Sequence, residues 1–84
     1  KSILTDKELE IVEAGTRANV KMQSEAALKK YIRMTRALRD KYHALVDLHK
    51  GSNRHWPYRR IIEKAHIFDV VLGRYEKQYR ETHA

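Results

Sequence analysis

The stretch Leu28-Lys29-Lys30-Tyr31-Ile32-Arg33-Met34-Thr35-Arg36-Ala37-Leu38-Arg39-Asp40-Lys41-Tyr42-His43-Ala44-Leu45 decides the fold. Leu28, Tyr31, Thr35, Leu38, Tyr42, Leu45 and then His49 follow one another in steps of three and four. Residues at that spacing share one face of a helix, so the pattern is a heptad seam that asks for a partner. Ile32, Val46 and Leu48 widen it. Ser24 offers an N-cap and Gly51-Ser52-Asn53 a stop, so the spacing predicts a helix over 25–50.

A second seam follows. Ile61, Ala65, Phe68, Leu72, Tyr75 and Tyr79 repeat at four and three, flanked by Ile62 and Val71. The only proline, Pro57, suits a first helical turn, where a missing N–H costs nothing. The predicted helix runs over 57–81. A connection of roughly six residues folds two such helices back antiparallel. Toward the N-terminus, Thr5-Asp6-Lys7-Glu8 reads as a capping box, and Leu9, Ile11 and Val12 give a short apolar face. This helix is expected over 6–20, weakened at Gly15 and Asn19 with a frayed or kinked end, and covering the groove between the long pair. No alternating strand pattern and no repeat is present. The fold class expected is all-α, a three-helix bundle dominated by an antiparallel αα-hairpin, one small domain over 1–84 with 1–4 and 82–84 frayed.

Composition narrows the chemistry. The 84 residues contain no cysteine, which excludes disulfides, thiolate zinc sites and cysteine nucleophiles. No run of about 18 apolar residues exists to span a membrane. No secretory signal opens the chain, which points to an intracellular location, cytoplasm or nucleus/nucleoid. The five histidines His43, His49, His55, His66 and His83 show neither HxH nor HxxxH spacing, so no metal is expected. Asp6, Glu8, Glu10 and Glu13 read as capping and solubility residues. Asp40, Asp47, Glu63 and Asp69 read as helical partners of nearby Lys and Arg. With no phosphate-binding glycine loop and no GxSxG, neither an enzyme nor a cofactor is expected.

The net charge is +7, and its placement matters more than its size. Residues 29–64 carry eleven Lys and Arg against three Asp and Glu, a balance of +8. Residues 1–28 carry four against five, and residues 65–84 three of each. At about 100° per residue, Lys29, Arg33 and Arg36 fall opposite the apolar seam, and Lys30 and Lys41 flank it. Lys50, Arg54, His55, Arg59 and Arg60 continue the basic run past the second helix. Trp56 and Tyr58 stand among them as stacking or anchor residues, although Trp56 also fits as a plug for the open end of the hairpin. Basic and aromatic side chains interleaved in this way suit phosphate contact with base stacking.

Leu38-Arg39-Asp40-Lys41-Tyr42, followed by Gly51-Ser52 and Trp56-Pro57-Tyr58, resembles the second half of Myb/SANT-like trihelix or MADF modules. The resemblance covers about residues 24–60, and the tryptophans of the earlier helices in those modules are absent. It implies that the helix from Ser24 to Lys50 reads DNA, with Arg33, Arg36 and Arg39 as contacts. The resulting expectation is a non-catalytic, basic helical nucleic-acid-binding module, DNA more than RNA, with a role in transcription or regulation. The alternative is a helical interaction or dimerisation module for an acidic protein partner, because heptad seams also serve partner helices.

Overall fold

The structure, a computed structural model, describes residues 4–48 and 56–82, and at 56–58 the backbone only. Four helices follow one another: α1 (Asp6–Ala14), α2 (Arg17–Val20), α3 (Glu25–Leu48) and α4 (Trp56–Thr82). Among the described residues there is no strand. The fold is an all-α bundle built on the α3–α4 hairpin.

The two seams form the core as their spacing requires. Leu28, Thr35 and Tyr42, one heptad apart on α3, are buried, and Ala65, Phe68, Val71, Leu72 and Tyr75 are buried on α4. Tyr31 stacks on Tyr75 with ring centroids 5.4 Å apart, and Tyr42 stacks on Phe68 at 5.8 Å. Thr35 sits between the two stacks with its hydroxyl satisfied, because it donates to the Tyr31 carbonyl one turn back. Arg36 pairs with Glu76 at 2.8 Å and His43 with Asp69 at 3.0 Å. Seven residues forward on α3 is seven back on α4, which pins the antiparallel register.

The helix expected over 6–20 is two helices. The capping box at its start is present: the Thr5 N–H donates to Glu8 Oε1 at 3.0 Å and the Glu8 N–H to Thr5 Oγ1 at 3.2 Å. The helix ends at Gly15, and Thr16 caps a new one by accepting from the Asn19 N–H at 3.3 Å. The reason is tertiary. A Cβ on Gly15 would lie 2.9 Å from Val71 Cγ1 and 3.0 Å from Tyr75 Cζ. The chain therefore rests its backbone on α4 at this point and turns. Ile11 enters the core, and its carbonyl accepts the Tyr75 hydroxyl at 2.6 Å.

The ends of the helices also differ from expectation. Leu4, placed in a frayed terminus, packs against the core, and Thr82 lies within α4, its hydroxyl donating to the Gln78 carbonyl at 2.9 Å. α3 is described to Leu48, and residues 49–50 of its expected range lie outside the described residues. Gly73, by contrast with Gly15, has open space where a Cβ would stand. Gly73→Ala should therefore stabilise the protein by ~1 kcal/mol, the helix-propensity difference alone, seen as a raised midpoint in urea.

Candidate functional site

Beside the hairpin, α1 is fastened by a buried polar cluster that the capping reading of Glu8 did not anticipate. Glu8 is 4% exposed. Its Oε1 accepts from Lys64 Nζ at 3.0 Å as well as from Thr5, and its Oε2 accepts from the Tyr42 hydroxyl. Lys64 Nζ also donates to that hydroxyl at 3.3 Å. Burial alone would push the Glu8 carboxyl up. The hydrogen bonds from Tyr42, Thr5 and Lys64 outweigh it and hold the group below its ordinary 4.5. Burial pulls Lys64 down, but Glu8 and Tyr42 keep it above 10.5. The cluster is thus an ion pair between Glu8 and Lys64 with the Tyr42 hydroxyl bonded to both, a clasp joining α1, α3 and α4. Burial and the bond to Glu8 likewise raise the Tyr42 phenol. Tyr75 is wholly buried and also raised, first by desolvation. Both tyrosines lie inside the fold, each with its hydroxyl hydrogen-bonded to α1.

The exposed cations assemble elsewhere, at the end of the bundle where α3 begins and α4 ends. Antiparallel pairing sets residues 29–36 beside residues 76–80. Lys29, Ile32, Arg33, Arg36, Tyr79 and Arg80 line a groove between α3 and α4, with Glu76 in its wall. The helical-wheel expectation put Lys29, Arg33 and Arg36 opposite the apolar seam. They instead edge it, because the seam is shared between α4 and α1 and the edge beside α4 is open. Arg36 is held there by Glu76, with Nε at 3.3 Å and Nη2 at 2.8 Å from one carboxylate oxygen. Lys29 lies 3.4 Å from Glu25. That carboxylate, and Tyr79 across the groove, raise the exposed ammonium above 10.5.

A second groove runs along the other side of α4. Arg17 and Val20 of α2 and Lys21 at its C-cap face Arg74, Lys77 and Gln78 of α4, and Glu81 closes it. None of Arg17, Lys21, Arg33, Arg74, Lys77 and Arg80 makes an ion pair among the described residues. Five of the six are exposed, and Arg74 is half-buried.

The remaining site candidates do not join this set. Lys30 stands about 100° around α3 from Lys29, on the side of Met34, Ala37 and Lys41, which face α1. Arg59 and Arg60 are exposed at the start of α4, the far end of the hairpin. Lys50, Arg54 and His55 lie outside the described residues, as do the side chains of Trp56 and Tyr58. Arg39 is turned onto its neighbour Asp40 at 3.0 Å. Asp40 and Asp69 therefore pair with Arg39 and His43, not with a Lys or Arg one turn away.

Arg17, Lys21, Arg74, Lys77 and Arg80 were missed because charge was summed along the chain. Residues 65–84 balance to zero in sequence, yet their three cations face those of α2 and α3. The signal was present in the heptads, since folding the two seams antiparallel places 74–80 next to the start of α3. No three His, Asp or Glu side chains gather for a metal among the described residues. Nor is any helix there long and apolar enough to cross a membrane. Comparison with family models, curated protein sequences and solved structures returned no match.

Proposed function

We propose that the protein is a non-catalytic nucleic-acid-binding module, DNA favoured, whose contact surface is the end of the bundle where α2, α3 and α4 meet. The observation that carries this reading is the convergence of six cations without ion-pair partners from three separate segments. A soluble surface normally disperses its charges among opposite ones; a phosphate backbone requires a concentration of one sign. The resemblance of residues 24–60 to Myb/SANT-like modules points to the same ligand. It would make α3 the sole reading helix, whereas the surface proposed here takes Arg33 from α3, Arg74, Lys77 and Arg80 from α4, and Arg17 and Lys21 from the segment of α2. A role in transcription or regulation, inside the cell, follows from such a ligand.

Binding of a fluorescent duplex, followed by anisotropy, should weaken by ~10³-fold between about 50 and 200 mM salt if all six cations reach phosphates. Arg33→Glu with Arg80→Glu should reduce it further at fixed salt. Absence of binding at low salt to DNA or RNA, double or single stranded, would overturn the proposal.

A second reading has its own observation. Ile62, at the edge of α4 beside His43 and Val46 of α3, and Val70 further along α4 are 42% and 40% exposed, where a partner helix or a second copy could cover them. A dimer in sedimentation velocity that dissociates on Val70→Glu would support an interaction module.

A further inference from the structure

We infer that the ligand is a duplex straddled across α4, with one strand's phosphates over the α2–α4 groove and the other's over the α3–α4 groove. This rests on the nucleic-acid reading above and specifies its geometry.

Three observations meet here. First, the cations form two rows rather than one. Arg17, Lys21 and Arg74 lie on one flank of α4, and Lys29, Arg33 and Arg36 on the other. Grooves that bracket a single helix are separated by about its diameter, ~10–12 Å with side chains. The major groove of B-form DNA is about 12 Å wide and admits one helix between its phosphate walls. A single strand has one line of phosphates and would fill one groove, leaving the opposite row without a partner.

Second, the crest of α4 between the rows is low. Gly73, Lys77 and Arg80 succeed one another at four and three, on one face. Apart from its chain neighbours and the adjoining backbone of α4, nothing lies within 4 Å of where a Cβ on Gly73 would be, so packing against the rest of the fold does not require a glycine there. Glycine in a helix interior sacrifices stability, and one established use of it is close approach of the backbone to a ligand. Lys77 and Arg80, one and two turns on, would then point at base edges or the inner phosphates.

Third, the crest continues on the other side with Val70, one turn before Gly73 and 40% exposed. An apolar side chain on a helix in the major groove is matched by the thymine methyl group, the one apolar feature of that surface. Single-strand binding instead relies on exposed aromatic platforms. Among the described residues the α3–α4 groove is lined by one aromatic side chain, the half-buried Tyr79, and the α2–α4 groove by none.

The test is an anisotropy titration with a labelled B-form duplex, each of its separated strands and an A-form RNA duplex, over a range of salt. Two variants remove one row each: Arg17→Gln with Lys21→Gln, and Lys29→Gln with Arg33→Gln. Each should weaken binding to the DNA duplex and lower its salt slope by about 1.8, and the four-site variant by about twice that. A third variant, Gly73→Trp, should keep the native circular dichroism and melting transition and lose duplex binding by more than tenfold. Gly73→Gln serves if the indole perturbs the helix. Duplex DNA should bind at least tenfold tighter than either strand. Equal binding to the single strands, dependence on one row only, or a Gly73→Trp protein that binds like the parent would overturn the straddled geometry and leave nucleic-acid binding standing. Failure to bind any of the four probes would overturn the nucleic-acid reading itself.

Discussion

Glu8→Ala should lower the stability of the protein by about 3–5 kcal/mol, the range for breaking a buried ion pair from one side. The loss is not one bond. The Lys64 side chain is 14% exposed and would keep its charge without a counter-ion. The Tyr42 hydroxyl would lose its acceptor, and the Thr5 N–H its half of the capping box. Truncation thus strands three donors in and around a core that in so short a chain has little stability to spare. Urea denaturation at neutral pH measures the effect. A Glu8→Ala protein as stable as the parent would remove the clasp from the account. The pH dependence gives a second signature. The folded state holds Glu8 below its ordinary 4.5, so its contribution is complete above that value and is lost as pH falls through the folded pKa. Lys64 is held above 10.5, so its share is complete below 10.5 and is lost as pH rises through its folded pKa. The clasp therefore acts across the whole neutral range. Glu8→Gln should flatten the acid limb of a stability profile and leave the alkaline limb in place only so far as Lys64 still finds Tyr42.

Gly15→Val is expected to cost about 3 kcal/mol, with Gly15→Ala somewhat less, at the level of overpacking a tight core. The first added carbon would meet Val71 Cγ1 at 2.9 Å and the Tyr75 ring at 3.0 and 3.1 Å. Neither neighbour can yield easily. Val71 is buried, and Tyr75 is held at both ends by its stack on Tyr31 and its hydroxyl bond to the Ile11 carbonyl. The substitution would raise helix propensity at residue 15 and still destabilise, the opposite sign to Gly73→Ala. Thermal melts of the two single alanine variants beside the parent would show one midpoint falling and the other rising. Two midpoints moving the same way would refute the contrast between a glycine pressed on α4 and one facing solvent.

The long helices were legible because burial and periodicity are the same fact there: Leu28, Thr35 and Tyr42 recur at seven and are the buried residues of α3. The Thr5–Glu8 box was legible because it is local. The break after α1 was only half legible. Gly15 announces weakness, but what ends the helix is contact with a residue 56 positions away, which no local rule contains. Glu8 shows the same limit: its capping bond spans three residues, and its bond to Lys64 spans 56. For the surface, the Lys29, Arg33, Arg36 spacing was visible, but which edge of α3 stayed open depended on where α1 docked. Arg80, Arg74 and Lys77 were hidden by chain-local charge accounting and emerge only when the two seams are laid side by side.

The bond between the Tyr75 hydroxyl and the Ile11 carbonyl crosses 64 residues of sequence, whereas the ends of α3 and α4 nearest the turn are close along the chain. The order of assembly follows from that difference. Contacts near the turn close short loops and can form early; those of α1 must wait for a large loop to close over a hairpin already in place. The N-terminal segment is accordingly the last part to dock and the first to leave. Changes at Glu8 and Gly15 should therefore speed unfolding more than they slow folding, which the two arms of a chevron plot for Glu8→Ala would show. Since Arg17 and Lys21 sit on α2 and at its C-cap, the same late event would assemble the second row of cations, and the proposed surface would be complete only in the fully docked state.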